Sequence, residues 1–72
     1  MSSSELHEIN DDALLHKLAE SKQALYNLRF RNATGQLDSP AEIPVARRQV
    51  ARINTELRAR EIAAAEALAG QE

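Results

Sequence analysis

The sequence predicts an all-α fold, an antiparallel two-helix hairpin with room for a short N-terminal helical turn. Three observations carry this. Leucines recur at spacings of three and four from Leu14 to Leu28. Isoleucines, alanine and valine do the same from Ile43 to Leu57. Between them lies Leu28–Pro40, LRFRNATGQLDSP, the one central stretch that cannot be helical throughout.

The first helix is expected over about 11–33. Asn10 suits its N-cap, because its side chain can accept from free backbone N–H groups. Asp11 and Asp12 then occupy the first turn, where the helix dipole favours acids. The stripe is Leu14, Leu18, Leu25 and Leu28, with Ser21 in the gap, and the stretch holds neither Gly nor Pro. Before it, Leu6 and Ile9 can pack back on the first turn.

The bend is expected over 34–39. Gly35 takes positive φ at the helix end without a Cβ clash. Ser39-Pro40-Ala41-Glu42 reads as a second start, with Ser39 as N-cap, Pro40 at the first helical position and Glu42 closing a capping box. A bend this short favours antiparallel neighbours.

The second helix is expected over about 40–65, with Ile43, Ala46, Val50, Ile53 and Leu57 as its seam. Pro44 should distort the first turn or delay the regular helix, since it lacks a backbone donor and crowds the carbonyl of Pro40. Beyond Glu61 the chain is alanine-rich and acidic, and acids at a helix C-terminus oppose the dipole, so this tail should fray. Pairing about the bend sets Leu25 near Arg48 and Leu14 near Ala59, in a rod about 30 Å or more long.

The 72 residues make one domain at most, with no cysteine and a single Tyr and Phe. Neither a disulfide nor a four-ligand zinc site can staple so small a core. A partner is the expected staple. No apolar run approaches the roughly 18 residues that span a bilayer, and MSSSELHEIN lacks the basic start of a signal peptide. A cytoplasmic protein is expected, with no membrane partner.

The net charge of −2 conceals a segregation. Residues 1–27 are net −3 and residues 61–72 net −3. Residues 28–60 are net +4 and hold all seven arginines. Exposed charges are screened beyond roughly 10 Å, so a partner at the middle of the chain meets arginine. Arginine forks onto phosphate in a bidentate way that lysine cannot match. The blander reading is a solvated face with intrahelical pairs such as Arg52–Glu56 and Glu56–Arg60.

Catalysis finds no constellation. His16 lies four residues from both Asp12 and Glu20, with no further ligand at usable spacing, and an exposed helical pair is the simpler account. Ser2, Ser3, Ser4 and Ser21 have no base partner in sequence, and Gly35 and Gly70 form no phosphate loop. No metal, cofactor or small-molecule substrate is implied. A second apolar stripe, Leu15, Ala19, Tyr26 and Phe30, lies about 100° or more from the first. Either it widens the core or it docks a second macromolecule.

The most specific residues are Leu25-Tyr26-Asn27-Leu28-Arg29-Phe30, then Ala33-Thr34-Gly35-Gln36-Leu37, then Pro40, Arg47-Arg48 and Ala51-Arg52-Ile53. In these the chain resembles the L-twenty-nine family of bacterial large-ribosomal-subunit proteins, over Leu6 to Glu61. The resemblance implies a non-catalytic helical hairpin that binds large-subunit ribosomal RNA near the polypeptide exit tunnel, beside a neighbouring ribosomal protein. Carried over, the RNA-facing positions are Arg29, Arg31, Asn32, Thr34 and Gln36 at the bend, and Arg47, Arg48, Arg52, Thr55 and Arg58 on the second helix. Leu15, Tyr26 and Phe30 would face protein. The family is usually basic overall, and this chain is mildly acidic. Asn54 stands where lysine is common, and Pro44 where a longer polar residue is common.

Homo-oligomerisation is not expected on this reading. The competing one is an interaction module that dimerises into a four-helix bundle through the second stripe.

Overall fold

The computed structural model describes residues 3–70 and is helical, with no strand among them. Helix α1 spans Ser3–His7, α2 spans Asp11–Ala33 and α3 spans Glu42–Ala69. At 1.5 Å per residue α2 is about 35 Å long and α3 about 42 Å, within a rod of 56 × 19 × 18 Å. Helix α2 pairs with α3, and α1 packs on α3.

The N-cap of α2 is Asn10, whose Oδ1 accepts from the Ala13 backbone N–H at 2.8 Å. At the other end the Gly35 N–H donates to Asn32 O at 3.2 Å and the Gln36 N–H to Arg31 O at 2.8 Å. That is the Schellman pattern, and it needs the left-handed φ of 75° that Gly35 adopts. Both ends of α2 thus fall where the sequence places them.

The start of α3 does not. Ser39 is not its N-cap, and Pro40 is not its first residue. The cap is Ala41, with no side-chain cap hydrogen bond. The backbone instead makes a turn, Glu42 N–H donating to Ser39 O at 3.2 Å and Ile43 N–H to Pro40 O at 3.1 Å. The cause is Pro44. With the helix starting at Glu42, Pro44 falls at the third helical position, where a backbone N–H has no intrahelical acceptor anyway. Starting two residues later removes the distortion that a proline at the fifth position would bring.

The tail also differs from expectation. It is helical to Ala69, and Gly70 N–H closes the end on Glu66 O at 2.8 Å. Alanine is the strongest helix former, and its summed propensity outweighs a weak, exposed dipole penalty.

The seam follows the sequence pattern. Leu14, Leu25 and Ile53 are buried, and Leu18, Ser21, Leu28, Ile43, Ala46, Val50 and Leu57 are half-buried. Leu6 of α1 is as buried as Leu14 and Ile53, and these three form the core, with Ile9, Leu18 and Leu57 packed against it. So Leu6 and Ile9 reach past the first turn of α2 to the middle of α3.

Two substitutions test this frame. Gly35→Ala meets no atom within 4 Å, so its cost is backbone strain alone. Urea melts should show a loss of about 1–2 kcal/mol. Ile53→Ala empties the centre of a three-residue core and should cost about 2–5 kcal/mol, enough to abolish the cooperative transition in so small a chain.

Candidate nucleic-acid interface

The seam leaves each long helix an outward back, set by the residues it does not bury. On the back of α3 are Arg47, Arg48, Ala51, Arg52, Thr55 and Arg58, all exposed. Arg48 and Arg52 are four residues apart, one above the other on a single strip. Arg29, Arg31, Asn32, Thr34 and Gln36 are exposed at the bend end. On the back of α2 are Leu15, Tyr26 and Phe30, exposed by 53%, 62% and 58%. The rings of Tyr26 and Phe30 stack with centroids 6.5 Å apart.

The arginines are not equivalent. Among the described residues, Arg29, Arg31, Arg47, Arg48 and Arg52 make no ion pair, whereas Arg58 and Arg60 do. Arg58 Nη1 lies 3.0 Å from Glu61 Oε2, both side chains well exposed, a pair worth little in water. The hydroxyls at the two threonines are also committed. Thr55 Oγ1 donates to Ala51 O at 2.8 Å, and Thr34 Oγ1 faces Phe30 O at 3.2 Å and Arg31 O at 3.1 Å. With its single hydrogen spent, each oxygen can only accept. It suits a ribose 2′-hydroxyl better than a phosphate.

Arg60 is the residue that sequence reasoning left out of any role beyond a helical pair. Its Nη1 donates to Asp11 Oδ1 at 2.6 Å and its Nε to Glu56 Oε1 at 3.1 Å. Its Nη2 donates to Leu6 O at 3.1 Å and also to Ile9 O. One guanidinium thus joins α1, the α1–α2 link, α2 and α3. Hydrogen bonds to Asp11 first and Glu56 second push its pKa above the ordinary arginine value. A raised folded-state pKa gives stability that is lost only as pH rises through it. That point lies beyond any working pH, so Arg60 itself adds no pH dependence. The Glu56–Arg60 pair was visible as an i,i+4 spacing. The contacts to Leu6, Ile9 and Asp11 span about fifty residues, and no local pattern signals them.

Glu56 is the buried acid of the structure, 8% exposed. Its Oε1 also lies 3.1 Å from His7 Nδ1. His16 Nε2 sits 2.9 Å from Glu20 Oε1 in an exposed pair. Between α1 and α3 a cleft of about 460 Å³ opens, lined by Leu6 and His7 on one wall and by Arg48, Ala51, Arg52, Thr55, Glu56 and Ala59 on the other. No described helix is long and apolar enough to cross a membrane.

Residues 4–60, from α1 to the Arg60 junction, match the family described as "Ribosomal L29 protein". The chain belongs to that family. The "Large ribosomal subunit protein uL29" of Mycobacterium sp. (strain KMS) is 47% identical over 72 residues, covering 100% of this chain and 94% of the relative. The protein of that name from Carboxydothermus hydrogenoformans is 51% identical over 63 residues, 88% of this chain and 91% of the relative. That from Desulforudis audaxviator is 52% identical over 58 residues, 81% and 87%. The family is structural rather than enzymatic.

Replacing Arg60 with Met keeps much of the side chain's length and removes every donor. Amide hydrogen exchange should then quicken across residues 4–9 to the rate of unstructured chain, while the α2–α3 seam stays protected.

Proposed function

We propose that this chain is a structural constituent of the large ribosomal subunit that binds large-subunit ribosomal RNA through the bend and the back of α3. The observation that carries the proposal is the set of five arginines, Arg29, Arg31, Arg47, Arg48 and Arg52, that have no ion partner among the described residues. They crowd the bend half of a rod whose open end carries the acids Asp11, Asp12, Glu61 and Glu66. Arg58 joins them by exchanging Glu61 for phosphate, at small cost. Asn32 and Gln36 supply amide donors and acceptors at the bend, and Thr34 and Thr55 supply acceptors. The relatives' shared name supports the subunit, and placement near the exit tunnel rests on family likeness.

The back of α2 is the proposed protein contact. Leu15, Tyr26 and Phe30 are large and exposed, on a different helix from Arg47, Arg48, Arg52 and Arg58. A neighbouring ribosomal protein covers them in this reading, with no homo-oligomer, membrane or small-molecule ligand. The stacked Tyr26–Phe30 pair gives the dimer reading its one foothold. Solution mass decides between them: a monomer is expected, and a stable RNA-free dimer would favour the four-helix bundle.

Phosphate contacts release counterions, and each steepens the salt dependence of binding by about 0.7–0.9 in log–log slope. Arg48→Glu with Arg52→Glu should flatten that slope by about two or less and exclude the protein from assembled subunits. Normal incorporation of the double variant would sink the arginine ladder. Tyr26→Asp and Phe30→Asp should leave RNA affinity nearly unchanged while weakening retention in the particle.

A further inference from the structure

The cleft between α1 and α3 is more than a basic helix surface needs. A phosphate backbone is satisfied by exposed guanidinium groups on a convex face. Here the two arginines best placed on one strip, Arg48 and Arg52, instead line a concavity together with the apolar Ala51 and Ala59, across from Leu6 of α1. Its volume of about 460 Å³ falls within the range of small-ligand sites. The imidazole of His7 stands on the opposing wall, held from below by Glu56. The one carboxylate in the lining is compensated, since Glu56 Oε1 lies 3.1 Å from both Arg60 Nε and His7 Nδ1. Thr55 adds an acceptor.

We infer that this cleft seats one unpaired nucleotide of the bound RNA, its base on the Ala51–Ala59 floor beside His7 and its phosphate on Arg48 and Arg52. The inference rests on the proposed RNA binding and names the form of RNA that the site selects. A paired base keeps its faces stacked and its edges in a helix, and a rod this narrow meets such RNA only at sugar and phosphate. An unstacked base offers a planar face, which imidazole and guanidinium groups stack on. An acidic peptide would satisfy the arginines equally, but it brings no planar face to cover the alanine floor. On this account Arg60 is a positioning residue, because it pins the α1 wall on which His7 stands.

The test measures fluorescence anisotropy of the full chain at low salt with two probes, a short RNA hairpin carrying one bulged adenosine and the same hairpin without the bulge. The wild type should prefer the bulged probe by roughly tenfold, the lower range for stacking of one base. Ala51→Leu fills the floor with a good helix former, and His7→Ala removes part of the opposite wall. Each should erase the preference while affinity for the paired hairpin stays the same, with helix content checked by circular dichroism. Equal binding of both probes by the wild type, or a preference that survives Ala51→Leu, overturns the cleft inference. If Arg48→Glu with Arg52→Glu still weakens both probes, the RNA reading itself stands. Failure of the wild type to bind either probe removes both. Displacement of the bulged hairpin by polyglutamate at matched charge would make the cleft a peptide site.

Discussion

The fold depends on how many acceptors one guanidinium can serve. Helix α1 has five residues, far short of the length at which a helix holds itself together in water. Its last carbonyls reach only long turn bonds, Glu5 O and Leu6 O accepting from the Glu8 and Ile9 N–H groups at 3.3 Å. Arg60 supplies the donors, taking Leu6 O and Ile9 O with one nitrogen, Asp11 with another and Glu56 with a third. A lysine could not do this, because a compact ammonium on a flexible stem has fewer donors and no fixed fork. The same contacts place Leu6 over Leu14 and Ile53, so the core and the polar junction require each other. Burying Glu56 would be costly alone; with Arg60 and His7 at hand its charge is compensated.

That junction divides the arginines by function. The two at the acidic end of the rod, Arg58 and Arg60, are paired with acids of the chain. The five toward the bend are not. A net charge taken over the whole molecule averages these groups and hides the difference. The hairpin's seam does a similar sorting of the apolar residues. It consumes one leucine stripe of α2 and leaves Tyr26 and Phe30 more than half exposed. A core built on three fully buried side chains leaves little stability in reserve. Partners on both backs of the hairpin would supply what the chain lacks.

Much of this was legible in the residues because the signals were local. Helix α2 is capped by Asn10 and ended by Gly35, and both work within five residues of sequence. The two seams follow from period alone. Ser39, Pro40 and Glu42 form a good local start, but with Pro40 first, Pro44 would stand beyond the first turn, where its missing N–H would cost a helical bond. In the tail the dipole penalty of exposed acids is small, and alanine's propensity outweighs it as far as Ala69. Arg60 and the cleft beside it were illegible for a different reason. They depend on α1 folding back across α3, and nothing in Leu6 or Ile9 says which part of the chain they will touch. The hydroxyls of Thr34 and Thr55 return their hydrogens to their own helices, as helical threonines commonly do.

Electrostatics then orients the rod. Helix α3 is about 42 Å long, several times the roughly 10 Å over which exposed charges act in salt. An anion held at the bend would therefore meet arginines that make no ion pair among the described residues, and would be screened from Glu66 near the far end. Sliding the rod toward its acidic end would bring Asp11, Asp12, Glu61 and Glu66 against the same strand. The mild overall acidity thus does not weaken the basic half. On the proposed RNA reading, the acids of the open end would oppose a shift of the contact in that direction, and the arginines would supply the attraction.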